Sequence, residues 1–165
     1  RLVALGTFEG ERIELMAGEL RRMSPIGPPH SSTVDRLTEL LVVALLGRAR
    51  VRVQGSFAAG ELSEPEPDFC VLPLADYDDA HPDVAHLIIE VAESSLSYDR
   101  GQKARLYAEC GVPEYWIVNL TSRVVEVHRD PRPSGYEDVR TFPKGSRLQL
   151  LAFPDVELAV DSFLR

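Results

Sequence analysis

The run Leu87-Ile88-Ile89-Glu90-Val91-Ala92 sets the tightest limit on what this chain can become. Near-continuous apolar character, rich in β-branched residues, suits a central strand covered on both faces, and such strands belong to sheets flanked by helices. A carboxylate in the middle of that strand is costly unless it is paired, neutralised or bound to a cation. Glu90 therefore points either to a buried ion pair or to metal and catalytic use, and the residues leave both open.

Charge is distributed unevenly. The formal net charge of -8 argues against a nucleic-acid partner, because phosphate binding depends on Lys and Arg. Between Gln54 and Asp99, however, there are 11 acidic residues and no Lys or Arg, which leaves 15 acidic against 18 basic residues elsewhere. The acidic segment contains Asp68 and Glu90, as a cation site would, although Asp76, Asp78, Asp79 and Asp83 fit a solvated loop. The 165 residues suffice for one α/β domain with a substantial core. The longest apolar run, Leu40 to Leu46, is far short of the roughly 20 residues a membrane helix needs. A soluble, cytoplasmic protein is expected. Cys70 and Cys110 stand without CxxC or His spacing and suit free thiols in a reducing compartment. The chain opens on Arg1 without a signal peptide, so its native start is expected to precede it.

Hydrophobic periodicity supplies the elements. Arg12 to Met16 and Glu19 to Met23 flank Ala17-Gly18 as a tight hairpin. Val34, Leu37, Leu41, Ala44 and Leu45 recur at helical spacing within a helix expected from Ser31 to Arg48. Strands are expected at Val51 to Val53 with Phe57, at Asp68 to Leu72, and at Val84 to Ala92. Asp99 is placed to cap a helix running to Cys110, and Gly111 with Pro113 stops it. Glu114 to Asn119 and Arg123 to His128 pair across a short turn. A Pro131 to Gly135 loop leads to weaker strands near Tyr136 to Phe142 and Arg147 to Leu151. The order implies a mixed β-sheet flanked by helices, preceded by an N-terminal β-hairpin.

Asp68 follows Pro67, which cannot donate a ladder bond, so its carboxylate is expected where a strand opens, either capping the strand or holding a ligand. Mg²⁺ prefers oxygen ligands and usually takes only one or two carboxylates, the number Asp68 and Glu90 supply. Lys103 lies on the following helix with Asp99 and Tyr107 at i−4 and i+4. It could orient water or stabilise phosphate charge, or merely make an exposed pair with Asp99. Glu19 is a further candidate acid or a turn-flanking surface residue. His30 could contact phosphate, act as a base or serve structure alone. Tyr115 and Trp116 suit the core better than a base-stacking platform.

Pro67-Asp68, Ile89-Glu90-Val91, Tyr98-Asp99, Lys103, Tyr107 and Gly111-Val112-Pro113-Glu114-Tyr115-Trp116-Ile117-Val118 together resemble the Uma2 family of restriction-endonuclease-like proteins. Glu14 to Glu19 and His30 also match, and the resemblance covers about residues 12 to 130. It implies the PD-(D/E)xK nuclease fold, a restriction-endonuclease-like mixed sheet, and Mg²⁺ (or Mn²⁺) held by Asp68 and Glu90. Ala92 stands where that superfamily carries a Lys, and the resemblance implies that Lys103 reaches the same space from the helix. It also implies DNA as substrate and hydrolysis of phosphodiester bonds, with Glu19 as an added acid. The alternative is a nuclease-fold protein that binds nucleic acid or a protein partner without cutting. Exposed strands such as Arg123 to His128 leave room for a homodimer, by analogy with nucleases that reach both strands.

Overall fold

The computed structural model describes residues 12–165. Its centre is a six-stranded mixed sheet of β3 (Arg50–Val53), β4 (Phe69–Leu72), β5 (Leu87–Ala92), β6 (Glu114–Asn119), β7 (Val124–Arg132) and β8 (Gly135–Pro143), in that spatial order. Only β5 and β6 run parallel; all other neighbours in this sheet are antiparallel. A parallel pair needs a crossover, and here it is the helical stretch from Leu96 to Glu109. Every residue of β5 is buried, as its composition required.

Period-two alternation gives β5 two audiences. Ile89 and Val91 face a core built with Val34, Leu37, Leu41 and Leu45 of helix α1 (Pro28–Leu45). Ile88 and Ala92 face the opposite core, with Ala104 and Tyr107 from the crossover, so Glu90 shares that second face. Leu37, Leu41 and Leu45 are fully buried, and each such side chain contributes roughly 1.5–3 kcal/mol of transfer free energy. The helix starts three residues earlier than periodicity suggests because Pro28 and Pro29 occupy its first positions, where no N–H is missed. It ends at Leu45, just before Gly47 adopts φ 72°.

The crossover departs from a plain α-helix. It comprises α2 (Leu96–Tyr98), a π-helical turn (Asp99–Lys103) and α3 (Ala104–Glu109), closed by Gly111 at φ 72°. Asp99 is not the helix cap expected of it. Ser95 precedes the first turn, and Asp99 is buried within the π-turn, accepting a 2.6 Å bond from Ser95 Oγ. The π-turn is pinned from outside, where Arg100 donates to both oxygens of Glu126 on β7 at 2.7 and 2.8 Å. From inside, the Tyr115 hydroxyl donates to the Asp99 carbonyl.

The N-terminal hairpin, β1 (Ile13–Met16) and β2 (Glu19–Arg22), forms its own two-stranded sheet. Ala17 and Gly18 both take positive φ, the signature of a two-residue hairpin turn. An isolated hairpin is marginal, and this one is tied down by the segment before β4: Glu64 N–H donates to the Leu15 carbonyl and Gly18 N–H to the Leu62 carbonyl. Several expectations shift at their edges. Phe57 is core rather than strand, the strand expected from Val84 begins at Leu87, and Pro131 lies inside a longer β7. The strand expected at Arg147 to Leu151 is the shorter β9 (Arg147–Gln149), and the C-terminus adds its partner β10 (Glu157–Ala159) and α4 (Val160–Phe163).

Candidate active site

Asp68 precedes β4 by one residue, and Phe69 pairs with Ile89, so the next step of the register brings Asp68 beside Glu90. Its Oδ2 accepts the Val91 N–H at 2.8 Å and lies 3.1 Å from His30 Nε2, while Oδ1 accepts from Gln54 Nε2 at 3.3 Å. Burial pushes this carboxyl up, but the hydrogen bond and electrostatic influence of His30, the Val91 amide and Gln54 together bring it below its ordinary value. Asp68 is therefore a stable carboxylate. His30, from the first turn of α1, spends Nε2 on it and leaves Nδ1 buried without a partner.

Glu90 is organised differently. Its Oε1 accepts from Lys103 Nζ at 2.9 Å and from the Tyr107 hydroxyl at 2.8 Å, and no donor among the described residues reaches Oε2. The residue lines a cavity of about 260 Å³ shared with Asp68, Glu14, His30 and Lys103. Burial, opposed by Lys103 and reinforced by Asp99 and Asp68, pushes Glu90 up to about 8. Burial pulls Lys103 the other way, but Glu90, Glu14 and Asp99 outweigh it and hold the ammonium charged. The helix lysine thus reaches the strand carboxylate directly. Ala92, two residues along β5, is packed in the core beneath the crossover.

Glu19 does not join this group. It is exposed on β2 and lines a separate depression with Gln102 and Arg105. The acid that the hairpin supplies is Glu14, 4% exposed, with Oε2 3.4 Å from Lys103 Nζ and without a hydrogen-bond partner. A signal for it existed. In Ile13-Glu14-Leu15-Met16 the acid shares the buried phase with Met16. The exposed Asp99–Lys103 pair does not form either, because the π-turn buries both residues.

Among the described residues no group of three or more His, Cys, Asp or Glu side chains is gathered to hold a metal. Two carboxylates do meet a Mg²⁺ site's usual demand on the protein, the rest being water and substrate. The donor-free oxygen of Glu90, on a cavity wall shared with Asp68, fits such an ion. No helix among the described residues is long and apolar enough to cross a membrane.

The sequence model of the Uma2 family, described as "Putative restriction endonuclease", matches residues 2–161. The chain belongs to the Uma2 family. No curated protein matches it. Among solved structures it is similar to the crystal structure of a "putative nuclease belonging to DUF820" from Anabaena variabilis ATCC 29413. The TM-score is 0.71 at 16% identity, over 93% of this chain and 90% of that one. At that identity the likeness carries the fold. Membership of a family described in those words supports a nuclease-like protein, and the mixed sheet flanked by helices is the fold shared with that structure.

Proposed function

We propose that this Uma2 protein is a Mg²⁺-dependent endonuclease that hydrolyses DNA phosphodiester bonds. The observation that carries the proposal is Glu90, which gives one oxygen to Lys103 and Tyr107 and turns its other side to a cavity beside ionised Asp68. Asp68 and Glu90 would hold Mg²⁺, or Mn²⁺, in its place. A bound ion of this kind supplies Lewis-acid polarisation of the phosphoryl oxygen and a more acidic water. Lys103 contributes a fixed positive charge that orients the attacking water or stabilises the charge growing on phosphate. His30, hydrogen-bonded to Asp68, orients that carboxylate. The test is cleavage of double-stranded, single-stranded and branched DNA by purified protein with Mg²⁺ or Mn²⁺. Metal-dependent cutting that disappears in Asp68→Asn and Glu90→Gln supports the proposal, and an inert wild type sinks it.

A second reading has one observation in its favour. Lys103 is engaged by Glu14 as well as Glu90, a closed arrangement that suits a nuclease-fold protein binding nucleic acid or a protein partner without cutting. Calorimetric titration separates the two. Mn²⁺ binding abolished by Glu90→Gln favours the enzyme, whereas no binding at millimolar ion favours the non-catalytic module.

A further inference from the structure

The cavity has an acidic floor and a basic rim. Glu14, Asp68, Glu90 and Asp99 line it below, and the hairpin sets Arg12 and Arg21 around its mouth. Arg12 is ion-paired with Glu66. Arg21 makes no ion pair with any described residue, yet its side chain is held in place. Its Nη1 donates to Gln102 Oε1 at 2.6 Å, and its guanidinium carbon lies 4.1 Å from the centroid of the Tyr98 ring. Fixing an arginine costs rotamer entropy, and stacking plus one hydrogen bond offset part of that cost before a ligand arrives. A guanidinium carries five N–H donors in a planar fork matched to phosphate oxygens. Gln102 takes one of them.

Two further observations point to the same ligand chemistry. The Tyr98 hydroxyl is buried between Glu14 and Arg21 without a hydrogen bond of ordinary geometry, so it stands next to Arg21 where a phosphate oxygen would be. Arg21 is also the wall between two concavities, since it lines both the acidic cavity and a neighbouring depression of about 540 Å³ shared with Gln102 and Arg105. A ligand that runs from the cavity into that depression passes this guanidinium.

We propose that Arg21 and Tyr98 form a subsite for a second phosphate of the DNA backbone, adjoining the phosphate at Asp68 and Glu90, with the chain leaving over Arg21 into the neighbouring depression. The placement of the first phosphate rests on the nuclease reading above; the subsite itself is a binding site and can be tested without cleavage. It makes the ligand a polymer rather than a mononucleotide, because the chain continues past Arg21 into the second depression.

The experiment is fluorescence anisotropy of a labelled DNA duplex with the full chain in Ca²⁺, over a series of salt concentrations, using wild type, Arg21→Ala, Arg21→Lys and Tyr98→Phe. Loss of one phosphate contact lowers the slope of log affinity against log salt by about one, and Arg21→Ala is expected to weaken binding about tenfold. Arg21→Lys restores the salt slope but only part of the affinity, because an ammonium lacks the fork. Tyr98→Phe gives a smaller loss with the slope unchanged. Arg21 is exposed, so a thermal melt serves as the check that each variant is folded. Arg21→Ala binding within twofold of wild type with an unaltered slope, or a wild type that binds no duplex, overturns the subsite. A protein that binds through Arg21 but cuts nothing supports the subsite while overturning the nuclease reading.

Discussion

Glu90 and Glu114 are both glutamates on adjoining central strands, 5% and 0% exposed, yet they are treated in opposite ways. Glu114 is sealed. Its Oε1 accepts from Trp116 Nε1 and from two nitrogens of Arg129, and its Oε2 accepts the Leu151 N–H. Glu90 has both of its donors on one oxygen and a cavity beside it. Burial of a strand carboxylate does not by itself distinguish structure from chemistry. For these two glutamates the difference is that the protein supplies donors to both oxygens of Glu114 and to only one of Glu90; Asp68, with donors on both oxygens, differs from Glu114 in lining the cavity.

The sharpest way to break this contrast is Glu90→Gln. We expect metal-dependent DNA cleavage to fall at least about 10³-fold, equivalent to about 4 kcal/mol of barrier, while the urea-unfolding free energy at about pH 5, where buried Glu90 still keeps its proton, moves by less than about 1 kcal/mol. A Gln oxygen can still accept from Lys103 and Tyr107, so retained cleavage would mean that Glu90 is as structural as Glu114. Glu114→Ala should show the reverse balance. It removes the carboxylate partner of Arg129, which keeps its bond to the Gln149 carbonyl, and leaves the buried Trp116 N–H without an acceptor, so a loss of about 2–3 kcal/mol is expected in chemical denaturation. A cost below about 1 kcal/mol would show that the sealed glutamate is dispensable.

Mn²⁺ sharpens the comparison from the ligand side. An ion at about 100 times its dissociation constant stabilises the folded chain by about 2.7 kcal/mol, read as a rise in Tm. That rise should vanish in Glu90→Gln, and an equal rise in both proteins would place the ion elsewhere.

The last comparison is in pH. In EDTA, Glu90 has a folded pKa raised from 4.5 to about 8, so the native state holds its proton where the unfolded chain has released it. Its contribution is present at low pH and lost as pH rises through that interval. Asp68 runs opposite, since its lowered value contributes above the ordinary carboxylate range and is lost on acidification. A stability profile of Glu90→Gln against wild type should therefore flatten between pH 4.5 and 8 only; an unchanged slope there would show that burial does not penalise Glu90.

The sheet was legible because its signals are local: the apolar run of β5, the Gly111 stop before β6, and the Ala17-Gly18 turn. Asp68, Glu90 and Lys103 were nameable from sequence, but their meeting depends on an antiparallel register and a crossover that no spacing encodes. Glu14 was missed in favour of Glu19 because both flank the same turn and only the pleat, which puts Glu14 in phase with Met16, separates them. The π-turn had no signature at all. A 3.6-residue period places Asp99 and Lys103 on a surface face, and one widened turn instead buries both.

The single parallel pairing in the sheet carries a kinetic consequence. β6, β7 and β8 form a meander whose partners lie close along the chain, and their contacts need only short loops to close. The contacts that build the cavity span longer separations: 23 residues from Asp68 to Val91, 38 from His30 to Asp68 and 81 from Arg21 to Gln102. Loop-closure entropy grows with each of these separations, so the meander is expected in the folding nucleus and the acidic cavity among the last parts to assemble. Substitutions around Asp68 and Glu90 should then act on the unfolding rate, and those in the meander on the folding rate.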